Sequence, residues 1–456
     1  MEKIVQNLRD YFNTGETLSV DFRLKKLKEF RNVLLENYDK LKDAFKKDYN
    51  KCEFDFVATE LGMVVKELNF LIKNLKKLSK PKKVKTSIIN FSSNGKVIPN
   101  PYGVVLVVAP WNYPLQLSVV PFVSAIAAGN VVVLKLSRNT PKISSVISDI
   151  IYKVFDKNYV YATTCDDNER KIIFDIKYDY AFVTGSVSVG KLVMEKQSKY
   201  LTPLTLELGG KSPCIVDSSA DIDKSAKRVV WGKYLNGGQT CVAPDFILVH
   251  KSIKEKFIER VKFYIEKYYF VDGKISDDFT HIVSDSQVEH LKQLIDKQNI
   301  VVGGNTNKKL FYPTVIDNVT FYDAIMQEEI FGPIMPILDF EDFDKILKLL
   351  NSKDRPLAFY YFGSDKSHID KVLKFASFGG GCINDVIMHL TEHNLPFGGL
   401  GESGMGSYHG KKSFETFTHY KSVLLKGGSE INLKYPPYTD KKLKLVKFFM
   451  GIKKYK

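Results

Sequence analysis

Cysteine is scarce in this 456-residue chain, and the five present (Cys52, Cys165, Cys214, Cys241 and Cys382) are odd in number and free of any Cys-x-x-Cys pair. That pattern excludes a disulfide framework, offers no zinc-ligand spacing and fits a reducing compartment; no metal site is expected. No apolar run is long enough to span a bilayer, and the start, Met1-Glu-Lys-Ile-Val-Gln-Asn-Leu-Arg-Asp10, lacks the apolar stretch of a signal peptide, so a cytoplasmic protein is expected. Neither an internal repeat nor a low-complexity segment is present. Arginine–aromatic interleaving and zinc-finger spacing are missing as well, so nucleic acid is not an expected partner. The excess of 67 Lys+Arg over 52 Asp+Glu, a net charge of +15, is carried mostly by lysine and reads as general composition.

What is present is an ordinary soluble composition, 44% hydrophobic and 26% charged, in a chain too long for one core. Two or three domains are therefore expected. Residues 1–80 read as helical: Phe22, Leu24, Leu27, Phe30, Val33 and Leu34 recur at helical steps, and a second stretch runs from Phe56 to Leu78, stopping before Pro81. Residues 84–100 change period and read as a two-stranded ribbon turning at Ser93-Asn-Gly95. Then come apolar strands, Val104–Val108, Asn130–Leu134 and Tyr180–Val183, alternating with helical sequence. This is the pattern of an α/β sheet, whose ligands gather at the carboxyl ends of strands. The three ends carry Ala109-Pro-Trp-Asn-Tyr-Pro114, Lys135-Leu-Ser-Arg138 and Thr184-Gly-Ser-Val-Ser-Val-Gly-Lys191.

Several residues could carry chemistry. Cys241 follows the tight loop Asn236-Gly237-Gly238, where a reactive thiol could sit; a buried cysteine packing as a small hydrophobe fits that stretch better when read alone. Glu207 lies between apolar residues just before Gly209-Gly210, so burial would raise its pKa toward general-base duty; backbone amides could equally satisfy it. Asn112 offers an uncharged amide donor at a strand end, where an oxyanion could be met, or it is a turn asparagine. Gly185-Ser-Val-Ser-Val-Gly-Lys191 nearly matches a phosphate-cradling P-loop, with Cys214-Ile-Val-Asp217 as its acidic strand, and a phosphotransferase competes on that ground. Leu192 stands where the loop needs a hydroxyl for magnesium. The fingerprint-like Gly399-Leu-Gly-Glu-Ser-Gly404 follows Leu395-Pro-Phe397 instead of a strand and reads as chance.

The combination is more specific than any part. Pro110-Trp-Asn-Tyr-Pro114, Leu206-Glu-Leu-Gly-Gly-Lys-Ser-Pro213, Gly238-Gln-Thr-Cys241 and Glu329-Ile-Phe-Gly-Pro333 resemble, in order and spacing, the aldehyde dehydrogenase superfamily. Leu395-Pro-Phe-Gly-Gly399 and Gly404-Met-Gly-Ser-Tyr-His-Gly410 resemble its class 3, fatty aldehyde branch. The resemblance implies a Rossmann-like cofactor domain over 1–206, containing an oligomerisation ribbon at 84–101, and an α/β catalytic domain over 207–385. Residues 386–456 would return to the cofactor domain and supply an oligomerisation segment and a basic tail. It implies oxidation of an aldehyde to an acid by NAD or NADP in a homodimer, with Cys241 as nucleophile, Glu207 activating water, and Asn112 with the Cys241 N–H holding the oxyanion. Lys135, Arg138, Gly185, Ser186, Gly190, Leu208, Glu329 and Phe331 would contact the cofactor. An acylating variant that releases a thioester is the nearer rival, and Glu207 favours hydrolysis.

Two features depart from the common pattern. The second strand end usually reads Lys-Pro-Ser-Glu, whereas this chain has Lys135-Leu-Ser-Arg138; glutamate repels a 2′-phosphate and arginine attracts one, so NADP is expected to be accepted unless Arg138 points to solvent. The tail 441–456 is rich in lysine, with Leu445, Phe448, Phe449 and Ile452 on one helical face. It reads as a basic amphipathic helix suited to peripheral contact with an anionic membrane surface or to an apolar tunnel mouth, with packing against a sister subunit as the other reading.

Overall fold

The computed structural model describes residues 1–429 and 431–452. The N-terminal region is helical, as its periodicity requires, but residues 20–48 divide into Val20–Glu36 and Tyr38–Tyr49 at Asn37. The second helical stretch passes through a π-turn, Val57–Leu61, before the long helix Gly62–Leu78. A Cβ at Gly62 would press on the Val57 carbonyl at 2.6 Å, so this turn needs glycine there.

The ribbon differs from the sequence expectation. Strand β1 (Lys82–Val84) pairs antiparallel with β2 (Ser93–Pro101), and Gly95 lies inside β2 opposite Val84, so the connection spans residues 85–92. A third strand, distant in sequence, completes this sheet along the other edge of β2. Alternation alone could not reveal that partner.

The first large sheet uses β3 (Val104–Val108), β4 (Val131–Lys135), β5 (Val160–Thr163), β6 (Tyr180–Thr184) and β7 (Leu204–Glu207), all parallel. The first and fourth of these are buried along their whole length, which explains their unbroken apolar sequence. From β3 the chain adds β4 and β5 on one side, then β6 and β7 on the other. The strand order therefore reverses between β3 and β6, and a crevice opens there at the carboxyl ends.

A second sheet follows at once. It comprises β8 (Pro213–Val216), β9 (Phe246–His250), β10 (Asn299–Val302), β11 (Thr314–Asp317), β12 (Ile334–Phe340), β13 (Ala358–Phe362) and β14 (Gly380–Ile383). Its order is β10-β11-β12-β9-β8-β13-β14, parallel except at β10. The chain then returns: β15 (Gly404–Met405) pairs antiparallel with β7, and β16 (Thr418–Lys426) is the third strand of the ribbon. The tail forms the helix Asp440–Phe449, with Leu443, Leu445, Phe448 and Phe449 exposed; residues 453–456 lie outside the described residues. Among the described residues no helix is long and apolar enough to cross a membrane.

Candidate active site

Asn112, Lys135, Gly185 and Glu207 all sit at carboxyl ends of the first sheet's strands, as the α/β rule asks. Cys241 and Glu329 reach the same place from the other sheet, in loops that precede β9 and β12. The Cys241 loop is built from left-handed backbone: Asn236, Gly237 and Gly238 have φ of 56°, 62° and 74°. A Cβ at Gly238 would collide with the Gly332 carbonyl, so glycine is required both for the turn and for contact with the Phe331-Gly332-Pro333 loop.

Hydrogen bonds lock this loop to the Asn112 loop. Asn112 Nδ2 donates to the Gln239 carbonyl at 3.1 Å, Asn236 Nδ2 donates to the Asn112 carbonyl at 2.9 Å, and Tyr113 Oη lies 2.7 Å from Thr240 Oγ1. Asn112 thereby spends one of the two N–H groups on its amide nitrogen and keeps the other for a ligand. The buried Gln239 donates to the Asn236 and His281 carbonyls and accepts from the Val283 N–H, which pins the loop from below. Sequence reading did not single out Gln239, Tyr113 or Thr240; in a glycine-rich loop nothing marks which polar residue turns inward.

The two carboxylates differ in burial and in company: Glu207 is buried, Glu329 half-buried. Glu207 is 3% exposed, neither of its oxygens has a hydrogen-bond partner, and burial holds its pKa well above the usual carboxylate value. Glu329 is pushed up to about 8, by burial first and then by Asp245. The Gly210 N–H, Lys211 and Lys233 oppose that rise. Lys211 is bound to Asp245 at 2.6 Å, whereas the ammonium of Lys233 is buried without a hydrogen-bond partner and falls to about 8. The Cys241 thiol is pushed up to about 12 by burial, Glu329 and Glu207, so in the free protein at neutral pH it carries its proton.

An apolar cavity of about 360 Å³ ends on Cys241, lined among others by Phe54, Met63, Leu117, Trp231 and Phe397. A second cavity, about 460 Å³, runs from Val187 in the first turn of the Val187–Ser198 helix to Gly209, Gly210 and Glu329. The residues around the second cavity and the crevice fit a dinucleotide. Ser186 caps the Val187–Ser198 helix, which begins just past the carboxyl end of β6, and Thr184 Oγ1 at that end is buried without a partner. Gly190 lets that helix lie directly on Leu208, where a Cβ would stand 2.8 Å from the leucine methyls. Lys135 is held below its usual pKa by burial, a cation waiting for a polar partner. Trp111 meets the Phe331 ring edge-on at 5.3 Å. Arg138 is instead half-exposed and paired with Asp167 at 3.1 Å.

The P-loop alternative fails on topology. Lys191 lies inside a helix and pairs with Glu402 at 2.7 Å, while Asp217 follows β8 in the other sheet, bonded to Ser219, Tyr361 and His368. The Gly399–Gly404 segment is a loop leading into β15, with no strand before it.

A doubly wound sheet whose crevice abuts a half-buried thiol lining an apolar cavity defines a class, the dinucleotide-dependent α/β oxidoreductases. The model of the family described as "Aldehyde dehydrogenase family" matches residues 1–423. The chain is 40% identical over 454 residues to 4,4'-diaponeurosporen-aldehyde dehydrogenase of Staphylococcus aureus, covering 98% of this chain and 99% of that protein. It is 37% identical over 455 residues to Aldehyde dehydrogenase family 3 member A2 of Rattus norvegicus, covering 99% and 94%. The solved substrate-bound state of Staphylococcus aureus AldH superposes with a TM-score of 0.96 at 40% identity, covering 98% of this chain and 99% of that one. The chain belongs to the aldehyde dehydrogenase family, on its class 3 side, and is an NAD(P)-dependent enzyme that oxidises aldehydes to carboxylic acids.

Proposed function

We propose that Cys241 is the nucleophile, Glu207 the base that activates water, and Asn112 with the Cys241 N–H the oxyanion site, acting on medium to long aliphatic or aromatic aldehydes. The observation that carries this reading is the apolar tunnel ending on Cys241, next to the loop that Asn112 holds. The aldehyde carbon bonds to Sγ as the thiol loses its proton to solvent water, and the carbonyl oxygen takes the negative charge under the Asn112 amide. A bound NAD(P) would supply the hydride acceptor, and loss of hydride from this carbon would leave a thioester on Cys241. Glu207 draws a proton from water, the oxygen adds to the thioester carbon, and the carbon–sulfur bond breaks to release the acid while the sulfur takes back the proton that Glu207 drew. A carboxylate without hydrogen-bond partners is a strong base once ionised, which suits Glu207 to that step.

Lys135, Gly185, Ser186, Gly190, Leu208, Glu329 and Phe331 line the cofactor's path, and Arg138 biases it toward NADP. The cofactor domain spans 1–206 and the catalytic domain 207–385, with 386–456 returning to the first. The 84–101 ribbon joins two subunits in a homodimer. Exposed Leu443, Leu445 and Phe448 support a docking role for the tail, on the sister subunit or on an anionic bilayer. Liposome co-sedimentation with and without residues 440–456 separates these two. Five unpaired cysteines support a cytoplasmic place of action.

The central test is a panel of aldehydes of increasing length, assayed for reduction of NAD and of NADP. Turnover is expected to favour apolar chains and to fall by at least about 10⁴-fold in Cys241→Ser with cofactor binding unchanged. Residual turnover near the original level in that variant overturns the reading.

A further inference from the structure

We propose that the buried ion pair Lys51–Glu60 is a positioning device for the oxyanion side of the site, fixing the Asn112 loop and the tunnel wall against the Cys241 loop. The proposal rests on the roles given above to Asn112 and Cys241. Both side chains are fully buried, with Nζ and Oε1 3.4 Å apart. The second oxygen of Glu60 accepts the N–H groups of Leu115 at 3.2 Å and Gln116 at 2.8 Å. These amides open the Gln116–Ala128 helix, which has no capping side chain of its own and begins where the Asn112 loop ends. Glu60 therefore supplies the missing cap from a distant element, and it pins that loop's exit.

Lys51 reaches the entrance side. Its ammonium stands 4.7 Å over the Tyr113 ring, with Phe45 and Tyr49 closing a cage at 5.5 and 5.9 Å. Tyr113 is the residue that bridges to Thr240, directly before Cys241. The same ammonium lies 3.4 Å from Thr59 Oγ1, and Ala58, Thr59 and Met63 line the tunnel. Glu60 sits in the π-turn Val57–Leu61, a local distortion of the kind that places one side chain where a regular helix would not. One ion pair thus touches the cap of the loop, the tyrosine that meets the nucleophile loop, and the wall beside the substrate.

A bare structural role would need no charge here, since apolar residues of similar volume are often as stable as a buried pair. Burial pushes the Glu60 carboxyl up to about 7 even with Lys51 beside it. Tyr49, Tyr113 and Asp55 are the other titratable groups facing it. Below that pH the carboxylate gains a proton, the negative cap weakens, and Lys51 is left without its counter-ion.

The test compares Glu60→Gln and Lys51→Met/Glu60→Gln with the wild type and with Asn112→Ala. The double variant removes both charges, so it is expected to fold, with Tm within a few degrees of wild type and unchanged cofactor affinity. Both variants are expected to lose about tenfold in kcat with little change in KM, and to lose the limb of the kcat–pH profile near about 7. Combined with Asn112→Ala, the effect of Glu60→Gln is expected to shrink, because both act through one amide. Wild-type kcat and pH profile in a folded Glu60→Gln or double variant overturn the proposal, as do fully additive effects. Should Asn112→Ala itself leave kcat unchanged, the failure lies in the oxyanion reading on which the proposal stands.

Discussion

The two large sheets meet at one site but present opposite ends to it. The first offers the carboxyl ends of β3, β4, β6 and β7, with Asn112, Lys135, Gly185 and Glu207. The second offers the loops before β8, β9 and β12, with Gly209-Gly210, Cys241 and Glu329. Their electrostatics differ accordingly. At the first edge Glu207 stands alone in apolar surroundings; at the second, Glu329 belongs to a cluster with Asp245, Lys211 and Lys233. A carboxylate with no partner can hold its charge only at a cost, which suits a base that must take a proton. One embedded among fixed charges and the Gly210 amide suits a group that holds a polar ligand in place.

Exchanging the roles of the two acids is the sharpest way to break this contrast. Glu207→Gln is expected to lower kcat about 10²- to 10⁴-fold while the first turnover of cofactor reduction survives, because thioester formation does not need the water base. Glu329→Gln is expected to weaken cofactor binding about tenfold and to leave hydrolysis of a preformed thioester intact. Equal defects in both steps for both variants would dissolve the distinction. The same variant carries a stability signature. Glu329 rises from 4.5 to about 8 in the fold, so its contribution is complete below 4.5 and is lost as pH climbs through about 8. Tm of the wild type should fall over that window, and Glu329→Gln should flatten the fall.

A smaller effect separates the thiol from its neighbours. With Cys241 pushed up to about 12, only a minute fraction is thiolate at neutral pH in the free enzyme. Its carbamidomethylation, followed by peptide mass mapping, is expected to accelerate about tenfold per pH unit from about pH 7 to about pH 9 without a plateau. A plateau near neutrality would mean a preformed thiolate and would remove the case for burial, with the two carboxylates, holding its pKa up.

How much of this was legible in the sequence follows from which forces act locally. Strands β3, β4 and β6 were plain because each is apolar on both faces, and Asn112, Lys135 and Gly185 fell at their ends; β5 and β7, with threonine, tyrosine and glutamate mixed in, were not read as strands. The second sheet's contribution was reached through motif resemblance, since no rule places ligands at amino ends of strands. The third ribbon strand and the Lys51–Glu60 pair depend on contacts between residues far apart in the chain, which periodicity does not encode. A trace existed even so: Glu60, like Glu207, is a single acid inside an apolar run, and both turn out buried. The near-match to a P-loop could compete because Gly185 does stand at the carboxyl end of β6, but Gly190 packs on Leu208 and the lysine pairs with Glu402.

The smallest effect concerns Arg138, where the first sheet's edge meets solvent. Its side chain is half-exposed and tied to Asp167, itself 81% exposed, and exposed pairs of this kind contribute at most about 1 kcal/mol. Asp167 is therefore a weak competitor that a 2′-phosphate, with its greater charge, can displace. Arg138→Glu is expected to lower kcat/KM for NADP about tenfold and to change that for NAD less than about twofold. Asp167→Asn should move the ratio the other way by about two- to threefold, because it frees the guanidinium without altering it. Parallel losses for both cofactors in Arg138→Glu would show that the arginine serves the Asp167 contact alone. The two variants moving the ratio in opposite directions would instead place cofactor choice on this exposed strand end, apart from the chemistry proposed for Cys241 and Glu207.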